Sequence, residues 1–253
     1  MPRLWAVKAR LEVPERLRRG KRKEEAAWRR SAHDLLSVLT QRLGLDDLQG
    51  VSLLDVGCGT RFAAAIVNDG VPIGRYVGVD ADKEIIDHLR ANVDDPRFQF
   101  WHLNAHNELY NPDGAPLADL QLVPTDERFD VISLFSVFTH LAPHDFRPML
   151  EAVRPHVVDD GRLVFSLFVN DEAGQEPYQL EVQRRIDAGI LVAVATPAET
   201  PDFVDRIPDR PLMEAVYSEQ YARRLIDGSG WEVLSLHLPE RPTIQHHFVC
   251  RPA

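Results

Sequence analysis

The sequence predicts an α/β fold in which a doubly wound parallel sheet is covered by helices on both faces. Three observations carry this. Short apolar runs alternate with amphipathic stretches from residue 51 to residue 169. The first run ends in a double-glycine turn, Gly57-Cys58-Gly59. The second ends in Asp80, a carboxylate at a strand terminus. Ligands of such sheets bind outside the carboxyl ends of the strands, near the switch point. The informative residues are therefore expected just after each strand.

The elements follow in order. Arg22 to Leu43 has helical spacing, with Ala27, Leu35, Val38 and Leu39 near one face and Gly44 as the stop. Val51–Val56 reads as a buried strand. Phe62–Val67 reads as a helix ending at Asn68-Asp69-Gly70. Tyr76–Val79 is the second strand, Lys83–Val93 a helix with Ile85, Ile86 and Leu89 inward, and Phe98–Leu103 the third strand. A long polar segment, Asn104 to Arg128, separates it from the fourth strand, Phe129–Phe135. A helix over Phe146–Val157, the turn Asp159-Asp160-Gly161 and a fifth strand over Arg162–Val169 complete the alternation.

Asp171–Tyr217 breaks this rhythm. It holds five prolines, with ten acidic against four basic residues. A segment this long reads as a lid or binding insertion, with Ile186–Val194 as one short helix or strand. Ser218 is then expected to cap a helix over Glu219–Ile226. Trp231–Leu238 and Ile244–Val249 read as two last strands, with one of His246 and His247 facing in and the other out.

The chain of 253 residues suits one large domain or two small ones, long enough for a core without disulfides. Cys58 and Cys250 suit a reducing compartment and make neither a disulfide framework nor a four-Cys zinc site. No apolar run approaches the roughly 18 residues of a membrane span, and no secretory signal pattern is present. A cytoplasmic location is expected. The net charge of −10 is uneven. Residues 1–30, a basic arm leading into a helix, carry eleven Lys or Arg and four Glu; the remainder carries 18 basic and 35 acidic residues. The arm suits a polyanion such as RNA, or a solvated helix face beside an acidic body. The overall acidity argues against broad nucleic-acid binding.

Gly57 and Gly59 allow a sharp turn and close approach of a ligand, and the helix that follows offers unpaired N–H groups. Asp55 places a carboxylate beside the turn. Phe62 stands where a dinucleotide fingerprint needs its third glycine, which disfavours a hydride-transfer cofactor. Asp80 can accept from both ribose hydroxyls of an adenosine ligand.

The run from Leu53 to Asp80 resembles the class I S-adenosylmethionine-dependent methyltransferases. Their turn has the form Asp-x-Gly-x-Gly-x-Gly; Asp55, Gly57 and Gly59 match it, and Arg61 stands at the third glycine. An arginine at a helix start opposes the dipole. It can pair with the methionine carboxylate, or with solvent or an acid such as Asp82. The resemblance continues through Asn104, where the family usually has an acidic adenine-recognising residue, through Asn107–Gly114 and Ser136–Leu141, which resemble a bacterial branch, and through Asp160–Phe165, which matches the family's glycine turn and fifth strand.

The resemblance implies a Rossmann-like, seven-stranded mixed sheet with an antiparallel last strand. The methyltransferase domain is expected over residues 31–253, with the lid or substrate insertion at about 171–217. The implied cofactor-binding residues are Asp55, Gly57, Cys58, Gly59, Thr60, Arg61, Asp80, Ala81, Asn104, Ala105 and Ser136, with Arg30 and Ser31 from the segment before the first strand. No metal is expected.

The reaction implied is in-line methyl transfer from S-adenosylmethionine, releasing S-adenosylhomocysteine, to oxygen, nitrogen or carbon, with oxygen preferred. A small molecule or sugar-containing natural product is the first acceptor class and a protein side chain the second. There is no Asn/Asp-Pro-Pro-aromatic run after the fourth strand, and no cysteine placed as a nucleophile, which argues against nucleobase methylation. His140 follows the fourth strand and reads either as a general base or as a structural hydrogen-bonder. His106, Tyr110 and His140 are the substrate-side candidates. The acceptor is expected between the cofactor, the 104–128 loop and the insertion. Two alternatives stand beside this reading: a non-catalytic module binding the cofactor or its product, and a protein- or RNA-directed methyltransferase. The sequence leaves the oligomeric state open.

Overall fold

β1 (Ser52–Val56) is apolar on both sides because it is buried on both faces, as a central parallel strand must be. Leu53 packs into one helical layer and Leu54 into the other. The computed structural model describes residues 10–19, 24–107, 110–117, 120–170, 183–188, 202–207 and 210–253. Residues 1–9 and 20–23 of the basic arm, and most of the 171–217 insertion, lie outside the described residues.

Parallel pairing runs β3 (Phe98–His102), β2 (Arg75–Asp80), β1, β4 (Phe129–Leu134), β5 (Val157–Val169). Strand order reverses between β1 and its neighbours β2 and β4, which is the switch point. One face carries α1 (Glu25–Leu43), α2 (Arg61–Asp69) and α3 (Lys83–Asn92), whose Leu36, Leu39, Phe62, Ile66, Ile85 and Leu89 form one core. The other face carries α4 (Pro143–Val153) and, after the short helix α5 (183–187), α6 (Glu219–Ile226), with Phe146, Leu150, Ala222 and Ile226 in the second core.

Beyond β5 the sheet forks. β9 (His246–Pro252) pairs antiparallel with β5 over Leu163–Leu167, and β8 (Trp231–His237) pairs antiparallel with β9. At Phe168 and Val169 the same edge of β5 passes to β7 (Ala215–Tyr217), which pairs with β6 (Phe203–Asp205). The expected seven strands, with an antiparallel last one, are present. β6 and β7 are additional, three residues each, in the proline-rich segment whose composition concealed them.

Several boundaries differ from expectation. α1 starts at Glu25, because the Glu24 carboxylate accepts the N–H groups of Ala26 and Ala27 and so caps it. α4 starts at Pro143, whose fixed φ suits a first helical position, and ends at Val153 in a 3₁₀ turn containing Pro155. Val157 belongs to β5. The expected turn Asp159-Asp160-Gly161 is a bulge inside β5: Phe129 pairs with Val157, and Val131 already pairs with Arg162. The expected element at 186–194 is helical as far as residue 187, and its end lies outside the described residues. His246 and His247 are both buried, because the strand is covered on both faces.

The arm packs onto the body. Leu11, Val13 and Leu17 are buried, and Leu11 exchanges main-chain hydrogen bonds with the Asn68 side chain. Arg16 pairs with Glu84, Arg19 with Asp82, and Arg10 and Arg18 with Glu25; Arg29 on α1 pairs with Asp69. Acidic groups of the same chain thus meet much of the described part of the arm's charge.

Candidate active site

A cavity of about 990 Å³ opens at the carboxyl ends of β1, β2, β4 and β5. Gly57 and Gly59 form its floor, both at positive φ (69° and 50°). Gly57 has a steric reason as well: a Cβ there would lie 2.5 Å from Val137 Cγ2. Three hydrogen bonds tie the turn to β2. Gly57 and Cys58 donate their N–H groups to the Val79 carbonyl, and Gly59 donates to Asp80 Oδ2 at 2.8 Å.

Asp80 lines the cavity and also accepts the Asp82 N–H through Oδ1. Desolvation raises its pKa to about 6, against the opposing pull of the Gly59 N–H, Arg19 and His102. Ala81, Leu103, Ala105, Leu117 and Val137 add apolar surface to the cavity lining.

The remaining sequence-predicted residues divide. Cys58, Arg61, Ala81, Ala105, His106, Tyr110, Ser136, His140 and Ser31 line the cavity. Cys58 is buried, and its thiol pKa is pushed well up by desolvation, with the nearby carboxylates adding to this. It is a packing residue there, not a thiolate. Ser31 donates to the Trp28 carbonyl at 2.6 Å, turning its hydroxyl proton inward.

Asp55, Thr60, Arg30 and Asn104 do not line the cavity. Asp55 lies on the α1–α3 face and accepts from Tyr76 Oη and Ser133 Oγ, each at 2.7 Å. Strand alternation explains this: Leu53 and Asp55 share one face. Thr60 is buried and donates to the Leu17 carbonyl of the arm at 3.1 Å. Arg30 is exposed. Asn104 is exposed, and its Oδ1 accepts from Asn111 Nδ2 at 3.1 Å.

Ser136 follows β4 at φ 59°, a left-handed conformation uncommon for serine and locally strained. It is held by its N–H to Ser166 Oγ at 2.7 Å and its Oγ to Gln245 Oε1 at 3.1 Å.

His140 ends the 3₁₀ turn Phe138–His140. Phe138, fully buried, anchors that turn between Phe146 and Phe165, at ring distances of 4.4 and 4.6 Å. His140 Nδ1 lies 2.9 Å from the Leu212 carbonyl. A carbonyl only accepts, so Nδ1 carries the proton, and the acceptor nitrogen of the neutral ring is Nε2. Desolvation lowers the pKa below 6.5, against the raising effects of the Leu212 hydrogen bond and Glu214. Tyr110 meets His140 edge-on at 6.1 Å.

Sequence reasoning missed other wall residues: Arg19 from the arm, Phe135, Gln245 and His247 at the sheet edge, and Arg185, Arg210 and Glu214 from the insertion. The signal for Phe135 and Gln245 was position alone, one residue beyond β4 and one before β9. Glu214 pairs with Arg185 inside the protein. Among the described residues, no group of three or more His, Cys, Asp or Glu is placed to hold a metal ion, and no helix is long and apolar enough to cross a membrane.

A family model described as a methyltransferase domain matches residues 27–236. Solved structures of similar fold include the pyocyanin biosynthetic protein PhzM, with a TM-score of 0.57 and 16% identity, over 90% of this chain and 57% of that one. Another is the mitomycin 7-O-methyltransferase MmcR, with a TM-score of 0.54 and 17% identity, over 91% of this chain and 58% of that one. A third is the Burkholderia thailandensis 1,6-didemethyltoxoflavin-N1-methyltransferase with its substrate and S-adenosylhomocysteine bound. It has a TM-score of 0.54 and 16% identity, over 91% of this chain and 82% of that one. The chain thus spans little more than half the length of the first two.

Proposed function

The chain belongs to the methyltransferase-domain family, and from that premise we propose that it transfers a methyl group from S-adenosylmethionine to a hydroxyl of a small-molecule acceptor. The observation that carries this reading is one continuous cavity from the Asp80 carboxylate, past Gly57 and Gly59, to the neutral imidazole of His140.

The residues fit the cofactor. The Asp80 carboxylate suits two ribose hydroxyls. Ala81, Leu103, Ala105 and Val137 offer apolar walls for an adenine ring, and the glycine turn leaves the room that a Cβ at Gly57 would take. Arg61, at the start of α2, suits the methionine carboxylate. S-adenosylmethionine supplies an electrophilic methyl group on a sulfonium that is already a good leaving group.

The protein's part is alignment and proton control. The pocket walls hold the acceptor in line with the methyl carbon, at a separation of about 3–3.5 Å. Buried apolar residues such as Phe135, Phe168 and Met149 strip water from the acceptor oxygen. His140 Nε2 takes the hydroxyl proton, and the Leu212 carbonyl fixes the ring in the tautomer that leaves Nε2 able to accept it. The acceptor occupies the end lined by His140, Met213 and Glu214, and Tyr110, between His140 and Arg19, separates it from the adenosine end. MmcR, an O-methyltransferase of the same fold, is consistent with an oxygen acceptor.

Isothermal titration with S-adenosylhomocysteine, followed by a methylation screen over hydroxylated small molecules, tests the reading. Binding of the product and methyl transfer to a hydroxyl is the expected result. Absence of product binding overturns it. Binding without turnover across the screen favours the non-catalytic module. Asn104, turned to Asn111, favours that alternative to the extent that adenine recognition is lost with it.

A further inference from the structure

Among the described residues of the segment 10–19, Arg19 is the one that reaches the cavity. It spans the adenosine end from one wall to the other. On one side its guanidinium pairs with Asp82, the N-cap of α3. On the other it lies 4.9 Å from the ring centre of Tyr110, in the loop after β3. Asp82 is fixed from behind: its Oδ1 caps the N–H groups of Glu84 and Ile85, and its own N–H donates to Asp80.

The stem that delivers Arg19 is fixed too. Leu17 is 1% exposed, and its carbonyl accepts from Thr60 Oγ1. The Glu12 carbonyl takes His88 Nε2, and Arg16 pairs with Glu84 on α3. The arm is therefore laid across α2 and α3, and Arg19 is its point of contact with the cavity that Asp80 lines.

We propose that Arg19 is a positioning residue for the cofactor, a latch that spans the adenosine end and must release Asp82 and Tyr110 for the nucleoside to leave. This rests on the reading that the adenosine lies beside Asp80. Two weak contacts acting together suit the task. An ion pair and a cation–π contact at a partly exposed position are each modest in strength. A latch made of them holds a ligand without trapping it. The Arg19 and Asp82 side chains are 35% and 13% exposed, so the pair is open to screening by salt.

The test measures S-adenosylhomocysteine dissociation from the full chain by stopped-flow displacement. Arg19→Ala raises the dissociation rate by about tenfold, since affinity differences within one site lie mostly in that rate. Arg19→Lys keeps the charge but not the planar stacking and falls between the two. Asp82→Asn keeps the helix cap, because asparagine caps as well as aspartate; it removes the ion pair but leaves the Tyr110 contact, and its rate also falls between wild type and Arg19→Ala.

Salt separates a latch from a merely structural role. S-adenosylhomocysteine is a zwitterion without net charge, so its own screening is small. The wild-type rate climbs with ionic strength and the Arg19→Ala rate stays flat. Dissociation from Arg19→Ala within about twofold of wild type, or a wild-type rate insensitive to salt, overturns the latch and leaves the methyltransferase reading standing. Failure of the wild-type chain to bind S-adenosylhomocysteine overturns both.

Discussion

Tyr76 donates its phenol proton to Asp55 Oδ2 at 2.7 Å, beneath the sheet and outside the cavity. With Ser133 Oγ on the other oxygen, the carboxylate joins β1 to β2 and β4. Asp55 therefore holds the strands from which the glycine turn springs.

Burial lifts Asp55 to about 6 from 3.8, against the pull of Ser133 and Tyr76. A carboxyl raised on folding contributes stability that is fully present below about 3.8 and is lost as pH rises through about 6. A shift of about 2 units corresponds to about 3 kcal/mol. Asp55→Asn keeps an oxygen for Tyr76 and removes this dependence. Urea unfolding at about pH 4 and about pH 8 checks it: the variant gains about 3 kcal/mol on wild type across that interval. A constant difference between the two proteins refutes the assignment.

Asp80→Ala weakens S-adenosylhomocysteine binding by about 1–3 kcal/mol. With a pKa of about 6 in the free protein, Asp80 becomes a better acceptor for ribose hydroxyls as pH rises through that value. Wild-type affinity therefore increases from about pH 5 to about pH 7. Asp80→Asn binds less tightly and loses the dependence. Titration calorimetry at the two pH values reads both effects.

Gly57→Ala meets two penalties. Its φ of 69° costs a residue with a Cβ about 1–2 kcal/mol, and the added carbon strikes Val137 Cγ2. The variant has a lowered Tm and weakened product binding. Adding Val137→Ala relieves the clash but not the backbone cost, so the double variant recovers part of the lost stability. No recovery means that the Val137 contact is not the cause.

His140 acts as a base only when neutral. Its pKa lies below 6.5, so kcat is level near neutral pH and falls on the acid side with a midpoint below 6.5. His140→Gln loses that limb and about 10²–10⁴ in kcat, with S-adenosylhomocysteine affinity little changed. An unchanged kcat assigns His140 to loop positioning alone.

Phe138→Ala removes the anchor of the turn that carries His140 and costs about 3–5 kcal/mol, the usual range for a buried phenylalanine. Thermal unfolding measures it. A loss under about 1 kcal/mol means that Phe146 and Phe165 close over the gap.

The fold was legible because it is written in local patterns. Apolar runs of strand length, glycine stops at Gly44 and Gly70, and the cap at Ser218 each report on a few adjacent residues. That Gly57, Gly59 and Asp80 line a cavity was legible for the same reason: the cavity opens at strand ends. Asp55 was misplaced because sequence adjacency to the turn does not say on which side of the sheet a side chain falls. Asn104 was misplaced because its partner, Asn111, lies across a loop whose course no periodicity encodes. Arg19 was one cation among eleven in residues 1–30, and only the packing of Leu11, Val13 and Leu17 sets it apart. β6 and β7 are held by their pairing with β5 and each other, which three residues of propensity do not reveal.

The fork in the sheet has a consequence for redesign. β7 meets β5 through two residue pairs, Phe168–Val216 and Val169–Tyr217, whereas the glycine turn and Asp80 rest on the β1–β2–β4 centre. A segment docked on so short a seam can be replaced, lengthened or recombined while the central strands keep their pairing. On the proposed reading, a change at the acceptor end near Met213 and Glu214 therefore leaves the strand pairing beneath the glycine turn and Asp80 untouched.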